Sequence, residues 1–131
     1  MPKLDHVAVE VSDMNAAIDF YTQKLGLELK FSRLDEDHHE AFAFLELDGG
    51  NLELLQVLDE KNEPLPFIPP DWTRSCCPHV AIAVEDMAAL MSQLEREQIP
   101  IVKGPMEICG SVRWIYVHDP DNNIIEFVQW L

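Results

Sequence analysis

His6-Val7-Ala8-Val9-Glu10-Val11-Ser12-Asp13-Met14 and His79-Val80-Ala81-Ile82-Ala83-Val84-Glu85-Asp86-Met87 are two versions of one pattern, 73 positions apart (6 to 79). Ala16 falls on Ala89 at the same offset, and Asp48 on Asp121. After a long variable stretch, Leu52-Glu53-Leu54-Leu55-Gln56 falls on Ile125-Glu126-Phe127-Val128-Gln129. An offset that survives divergence in between marks an internal repeat. The chain therefore reads as one domain made of two similar modules, about 1–57 and 79–131, joined by residues 58–78.

The joining stretch carries Pro64, Pro66, Pro69, Pro70 and Pro78 among charged residues and has no sustained period. Proline has no N–H to give a ladder and breaks helices, so this is a connection. It is either a plain crossover or a lid over a site, with Phe67 and Trp72 as the lid's apolar contacts.

Each module has the same predicted order. Residues 4–11 alternate Leu4, His6, Ala8, Glu10 with Val7, Val9, Val11, the period of a strand. Ser12 or Asp13 caps a helix that runs through Ala16, Ala17, Ile18, Phe20, Tyr21 and Leu25, with Gly26 as its stop. Three strands follow near 27–34, 40–47 and 51–57, with Gly49-Gly50 as a hairpin turn. The second module predicts a strand near 79–84, a helix near 86–98, and strands near 99–103, 111–118 and 123–129. There Asp119-Pro120-Asp121-Asn122-Asn123 replaces the glycine turn, because Asn tolerates the left-handed conformation. The fold class is α+β: paired βαβββ modules, each sheet covered by its helix on one face and concave on the other.

Composition narrows the function. The 131 residues are 47% hydrophobic and 25% charged, as in an ordinary globular protein. Nine Lys and Arg against 24 Asp and Glu leave a net charge of −15. That field repels phosphate backbones and anionic lipid, so no nucleic-acid or membrane partner is expected. No apolar run approaches a membrane span, and the opening residues lack the apolar stretch of a signal peptide. Three cysteines, Cys76, Cys77 and Cys109, make neither a disulfide framework nor a zinc motif, which points to a reduced, cytoplasmic protein.

The chemistry lies in the repeat. His6 matches His79 and Glu53 matches Glu126, so modules packed about a pseudo-two-fold axis would set these side chains facing each other. Each histidine belongs to a first strand, predicted as an inner one, and each glutamate to a strand whose alternate residues are apolar. A carboxylate projecting from such a strand must meet a cation, a proton or water, since burying it alone costs several kcal/mol. Two imidazoles and two carboxylates in one cleft suit a divalent transition metal (Ni, Co, Zn, Mn or Fe), with positions left open for water or substrate. Taken singly, each histidine reads as a satisfied or half-exposed strand residue and each glutamate as the solvent face of an edge strand. Duplication of both at one offset favours ligation. Gln56 and Gln129 repeat as well and are read as polar pairing at the core edge.

These residues resemble the vicinal-oxygen-chelate superfamily of glyoxalase I, bleomycin-resistance proteins, extradiol dioxygenases and methylmalonyl-CoA epimerase. The resemblance is carried by His6 to Val11, Asp13 to Tyr21, Lys24 to Leu27, His79 to Val84 and the closing run His118 to Phe127. It covers nearly the whole chain except residues 58–77. It implies paired βαβββ modules around a metal cleft, commonly in a homodimer. It also implies that His6, Glu53, His79 and Glu126 are the four metal positions, and that the partner is a small-molecule substrate. A carboxylate at Glu53 as well as at Glu126 is similar to bacterial glyoxalase I and to some epimerases. Leu52-Glu53-Leu54-Leu55-Gln56 is particularly like the epimerase version. The resemblance then implies a lyase or isomerase in which Glu53 and Glu126 flank the substrate, one as base and the other as proton donor or spectator ligand. A CoA-ester epimerase or a dioxygenase is the alternative enzyme. A metal-free, ligand-sequestering protein is the alternative of another class, disfavoured by four intact ligand positions.

Glutathione-using glyoxalases resemble one another in an arginine four residues after the first ligand and an asparagine four after the second. Here those positions hold Glu10 and Val57, which argues against glutathione as the thiol. Arg33, Arg74, Lys103 and Arg113 are the candidates for phosphate contacts, each read first as an ordinary surface charge. Glu40 is a smaller candidate for a catalytic carboxylate. His38 and His39 read as a solvated turn, and His118 as structural.

Overall fold

The computed structural model describes residues 1–73 and 78–131. Arg74, Cys76 and Cys77 lie outside the described residues. The chain divides into two compact units, Met1–Pro69 and Pro70–Leu131, and the division falls inside the proline-rich connection.

The first unit runs β1 (His6–Glu10), α1 (Met14–Asp19), a π-helical turn (Phe20–Lys24), β2 (Glu28–Asp35), β3 (Glu40–Leu47) and β4 (Gly50–Val57). The second runs β5 (Val80–Ala83), α2 (Met87–Arg96), β6 (Ile101–Ile108), β7 (Val112–His118) and β8 (Ile124–Trp130). The sheet orders are equivalent, β1-β4-β3-β2 and β5-β8-β7-β6. In each, the first and last strands of the module pair in parallel and the remaining neighbours antiparallel. Both units are therefore the predicted βαβββ module, and the fold is α+β with two open four-stranded sheets.

Alternation builds each core. On β3 and β4, Ala43, Leu45, Leu52 and Leu54 are fully buried beneath α1 and its π turn, which contribute Ala17, Phe20 and Tyr21. On β7 and β8, Ile115, Val117, Ile125 and Phe127 serve the same purpose. Their helix contributes Met87, Leu90 and Leu94, at the spacing of one helical face.

Each helix starts the same way. Asp13 accepts from the Ala16 N–H at 3.1 Å, and Asp86 accepts from Ala89 at 3.0 Å. A second cap comes from the sheet. Gln56 Oε1 accepts the Met14 N–H, and Gln129 Oε1 accepts the Met87 N–H. The repeated glutamines are thus helix caps, satisfying amides that have no partner within the helix, rather than a polar pair at the core edge.

Other expectations need correction. Within its own sheet β1 is an edge strand, with Val7 40% exposed, and β4 is the inner one, so the first histidine lies on an edge strand. The hairpin turn is Asp48-Gly49, since Gly50 already pairs with Leu47; Gly49 has φ of +88°. Strand β6 extends to Ile108, through Gly104 and Pro105. It is an edge strand, where a missing N–H costs no ladder bond, and its register shifts between Lys103 and Met106. Gly104, at φ of +94°, comes so close to β7 that a Cβ would lie 2.7 Å from the Trp114 carbonyl oxygen.

The connection begins as a turn folded back on itself, with a bridge between Leu58 and Pro64. Asp59 accepts from the Lys61 and Glu63 N–H groups. His39 Nδ1 lies 2.9 Å from Asn62 Oδ1, so His39 is half-buried against this turn, while His38 is exposed beside Asp35. Trp72 packs on His118 at 5.1 Å between ring centroids, which pins this end of the connection to the second unit. No helix among the described residues is long and apolar enough to cross a membrane.

Candidate metal-binding half-sites

The first unit brings His6 and Glu53 together. In the strand register Ala8, not His6, is opposite Glu53, and His6 is opposite Asn51. Residues two apart on a strand share a face, so the small Ala8 side chain leaves the imidazole room to reach diagonally. His6 Nε2 lies 3.0 Å from Glu53 Oε2. The carboxylate is 14% exposed and the imidazole 40%, so the acid is recessed and the ring stands at the mouth.

The second unit builds the same pair from the same register. Ala81 is opposite Glu126, and His79 immediately precedes β5. His79 Nε2 lies 2.8 Å from Glu126 Oε2, with exposures of 32% and 16%. An aromatic side chain lies opposite each acid, Phe44 opposite Glu53 and Tyr116 opposite Glu126. The Phe44 ring is 5.2 Å from that of His6, and Tyr116 is 5.1 Å from His79, both at 47°.

The pairs differ in support. Asp5 Oδ2 hydrogen-bonds to His6 Nδ1. Chiefly through that bond, against some desolvation and with help from the Glu53 charge, His6 is held above its ordinary pKa. A carboxylate on Nδ1 orients an imidazole and leaves Nε2 to a metal. Asp5 directly precedes the candidate ligand, and that adjacency was the only signal the sequence offered for it. Pro78, whose side chain carries no carboxylate, occupies the corresponding place before His79. Tyr116 is held above its usual value by burial first and by the Glu126 charge second.

Among the described residues no three His, Cys, Asp or Glu side chains form one group; the four predicted ligands come as two pairs. The donor types fit a borderline divalent ion, since each pair offers an imidazole nitrogen and a carboxylate oxygen.

The lesser candidates separate. Arg113 pairs with Glu107 at 3.4 Å, while Lys103 lies over the Trp114 and Tyr116 rings at 5.4 and 5.8 Å. Arg33 is exposed on β2, opposite Phe42. Glu40 is on the face of Phe42 and Phe44 but four residues from Phe44, about 13 Å along the strand, too far to share a proton with Glu53. His118 is held below its ordinary pKa by burial, and its Nε2 is buried with no hydrogen-bond partner among the described residues. A groove of about 280 Å³ between α2 and β6, lined by Met87, Met91 and Met106, includes neither His79 nor Glu126.

The model of the Glyoxalase/Bleomycin resistance protein/Dioxygenase superfamily matches residues 3–127, both half-sites included. The chain belongs to this superfamily. A glyoxalase domain-containing protein, RDO1 of Mycosarcoma maydis, is 30% identical over 97% of this chain and 68% of its own. A lactoylglutathione lyase of Neisseria meningitidis is 27% identical, over 97% and 90%. The crystal structure of SMU.1112c superposes with a TM-score of 0.81 at 24% identity, covering 98% of each chain, which supports the fold. Superfamily members bind small molecules, often use a divalent metal, commonly form dimers, and include both enzymes and non-enzymatic proteins.

Proposed function

We propose that this superfamily member is a metal-dependent lyase or isomerase of the glyoxalase I type. His6, Glu53, His79 and Glu126 would hold one divalent ion in a single domain made of both modules, within one chain or across a homodimer. The observation that carries this reading is the duplicated Nε2–Oε2 pair, built twice by the same strand register. A bound ion would polarise a substrate carbonyl and acidify the neighbouring C–H.

The chain's own residues do the rest. Glu53 and Glu126, recessed on inner strands, would act one as base and the other as proton donor or spectator ligand. A carboxylate that takes the proton from carbon and returns it to the adjacent carbon gives glyoxalase-type isomerisation; returning it to the other face of the same carbon gives epimerisation. Asp5 keeps the His6 ring oriented. Glu10 and Val57, where an arginine and an asparagine mark glutathione-using relatives, leave the thiol open.

The deciding experiment is metal stoichiometry by elemental mass spectrometry after loading with Ni(II) and desalting, on wild type, His6→Ala and His79→Ala. About one ion per chain, lost in both variants, is expected. A wild type that retains no metal would leave a metal-free ligand-binding protein as the reading.

A further inference from the structure

By strand register, Phe31, Phe42 and Phe44 in the first unit correspond to Lys103, Trp114 and Tyr116 in the second. Phe44 and Tyr116 lie opposite the two acids, Phe42 and Trp114 opposite Leu55 and Val128, and Phe31 and Lys103 opposite Phe44 and Tyr116. In the second unit the Lys103 ammonium lies over both rings, a cation–π arrangement that occupies their faces.

The first unit has a phenylalanine in place of that ammonium. Phe31 and Phe44 stack at 5.0 Å and 24°, and Phe42 meets both edge-on, at 6.1 and 6.3 Å. Phe31 is 41% exposed, and Phe42 and Phe44 are half-buried. Three phenylalanines clustered on an exposed sheet face are unfavourable in water unless something covers them. The cluster runs directly into the half-site, since Phe44 also packs on His6. A flat ring covers such a surface best, because the stacked and edge-on geometries already present extend to one more ring.

We infer that the substrate carries an aryl group, which lies against Phe31, Phe42 and Phe44 on the face that presents His6 and Glu53. The inference rests on that face being the reaction site. Phe31, on the edge strand and remote from the acid, is a specificity-determining residue. Aryl substrates are favoured over alkyl ones of the same reacting group.

The test compares benzohydroxamate with acetohydroxamate, which chelate through the same two oxygens, by calorimetry on Ni(II)-loaded protein of measured metal content. The expected preference for the aryl probe is about tenfold in wild type and falls by about threefold or more in Phe31→Ala. It is unchanged in Leu34→Ala, an exposed apolar residue on the opposite face of β2. Equal binding of the two probes, or a preference that Phe31→Ala leaves intact, overturns the inference while leaving the metal reading standing. A second arm titrates metal-free protein with 2-naphthoate by fluorescence. Weakening by Phe31→Ala but not by Leu34→Ala is expected even where no metal is retained, and equal effects of the two variants overturn the inference. A change of oligomeric state in Phe31→Ala, read by light scattering, with aryl preference intact, would instead make the cluster a contact between two copies.

Discussion

Gln56 Oε1 accepts the backbone N–H of Met14 at 3.0 Å, so the last turn of the sheet's inner strand caps the first turn of the helix. Gln56 Nε2 also donates to the Ser12 carbonyl at 2.7 Å, which fixes the chain as it leaves β1. Gln129 makes the corresponding bond to Met87 at 2.9 Å. Gln56→Ala leaves a part-buried amide and a carbonyl without their partners, a loss of about 1–2 kcal/mol. Urea denaturation is expected to show that loss as a lower midpoint at unchanged slope.

Glu126→Gln preserves size and strand packing but removes the basic oxygen. On the proposed lyase reading, turnover of phenylglyoxal hemithioacetals is expected to fall by about 10²–10⁴-fold with the thermal midpoint nearly unchanged. Retained turnover would remove this carboxylate from the proton path.

Asp5→Asn tests the support of His6 separately from His6 itself. Outer hydrogen-bond partners of ligating histidines typically contribute about 10–100-fold to metal affinity. Competition titration with a chromophoric chelator is expected to show a weakening in that range, while near-identical affinities would make Asp5 a surface residue only.

Asp119 holds the β7–β8 turn, accepting from the Asp121 and Asn123 backbone N–H groups and from Asn123 Nδ2 at 2.8–2.9 Å. It is 4% exposed. Asp119→Ala strands these donors, and a destabilisation of about 2–3 kcal/mol is expected from chemical denaturation.

Two histidines should titrate on opposite sides of the ordinary value. His38 is raised, first by its hydrogen bond to Asp35 and then by that residue's charge, while Asp35 is lowered by the same bond. The pair's contribution is present between the carboxylate and imidazole ranges. It is lost as pH falls through the lowered Asp35 pKa and as pH rises through the raised His38 pKa. His118 is lowered by burial, so its contribution is full above the ordinary imidazole pKa and lost as pH falls through that value towards the lowered one. Proton NMR of the ring signals is expected to place the His38 midpoint above 6.5 and that of His118 below. Asp35→Asn should bring His38 back down.

The module order was legible because alternation and helical spacing record which side of each element meets the core. Leu52 and Leu54 are buried with Glu53 between them on the other face, as Leu52-Glu53-Leu54 alone requires. The first helix's cap was narrowed to Ser12 or Asp13 because an N-cap is a local interaction, and the structure chose Asp13. Strand β6, expected near 99–103, runs on to Ile108 because an edge position tolerates Gly104 and Pro105. The capping glutamines were not assigned because their partners are set by folding; Asp5 was not assigned because adjacency along a strand does not by itself bring two side chains together. Gln56 is 42 residues from Met14 and reaches it only once the parallel β1–β4 pair has formed.

The sequence by itself determined the duplication, the α+β class, the two cores and the four residues that repeat as ligand candidates. These follow from period, offset and side-chain chemistry, all local or one-dimensional properties. Only the tertiary structure decided that His6 reaches Glu53 past Ala8, that Asp5 supports the ring, and that Phe31 stacks on Phe44. The first and third depend on strand register, which sequence spacing leaves free and hydrogen-bonded pairing fixes, and the second on the side-chain conformations of two neighbours.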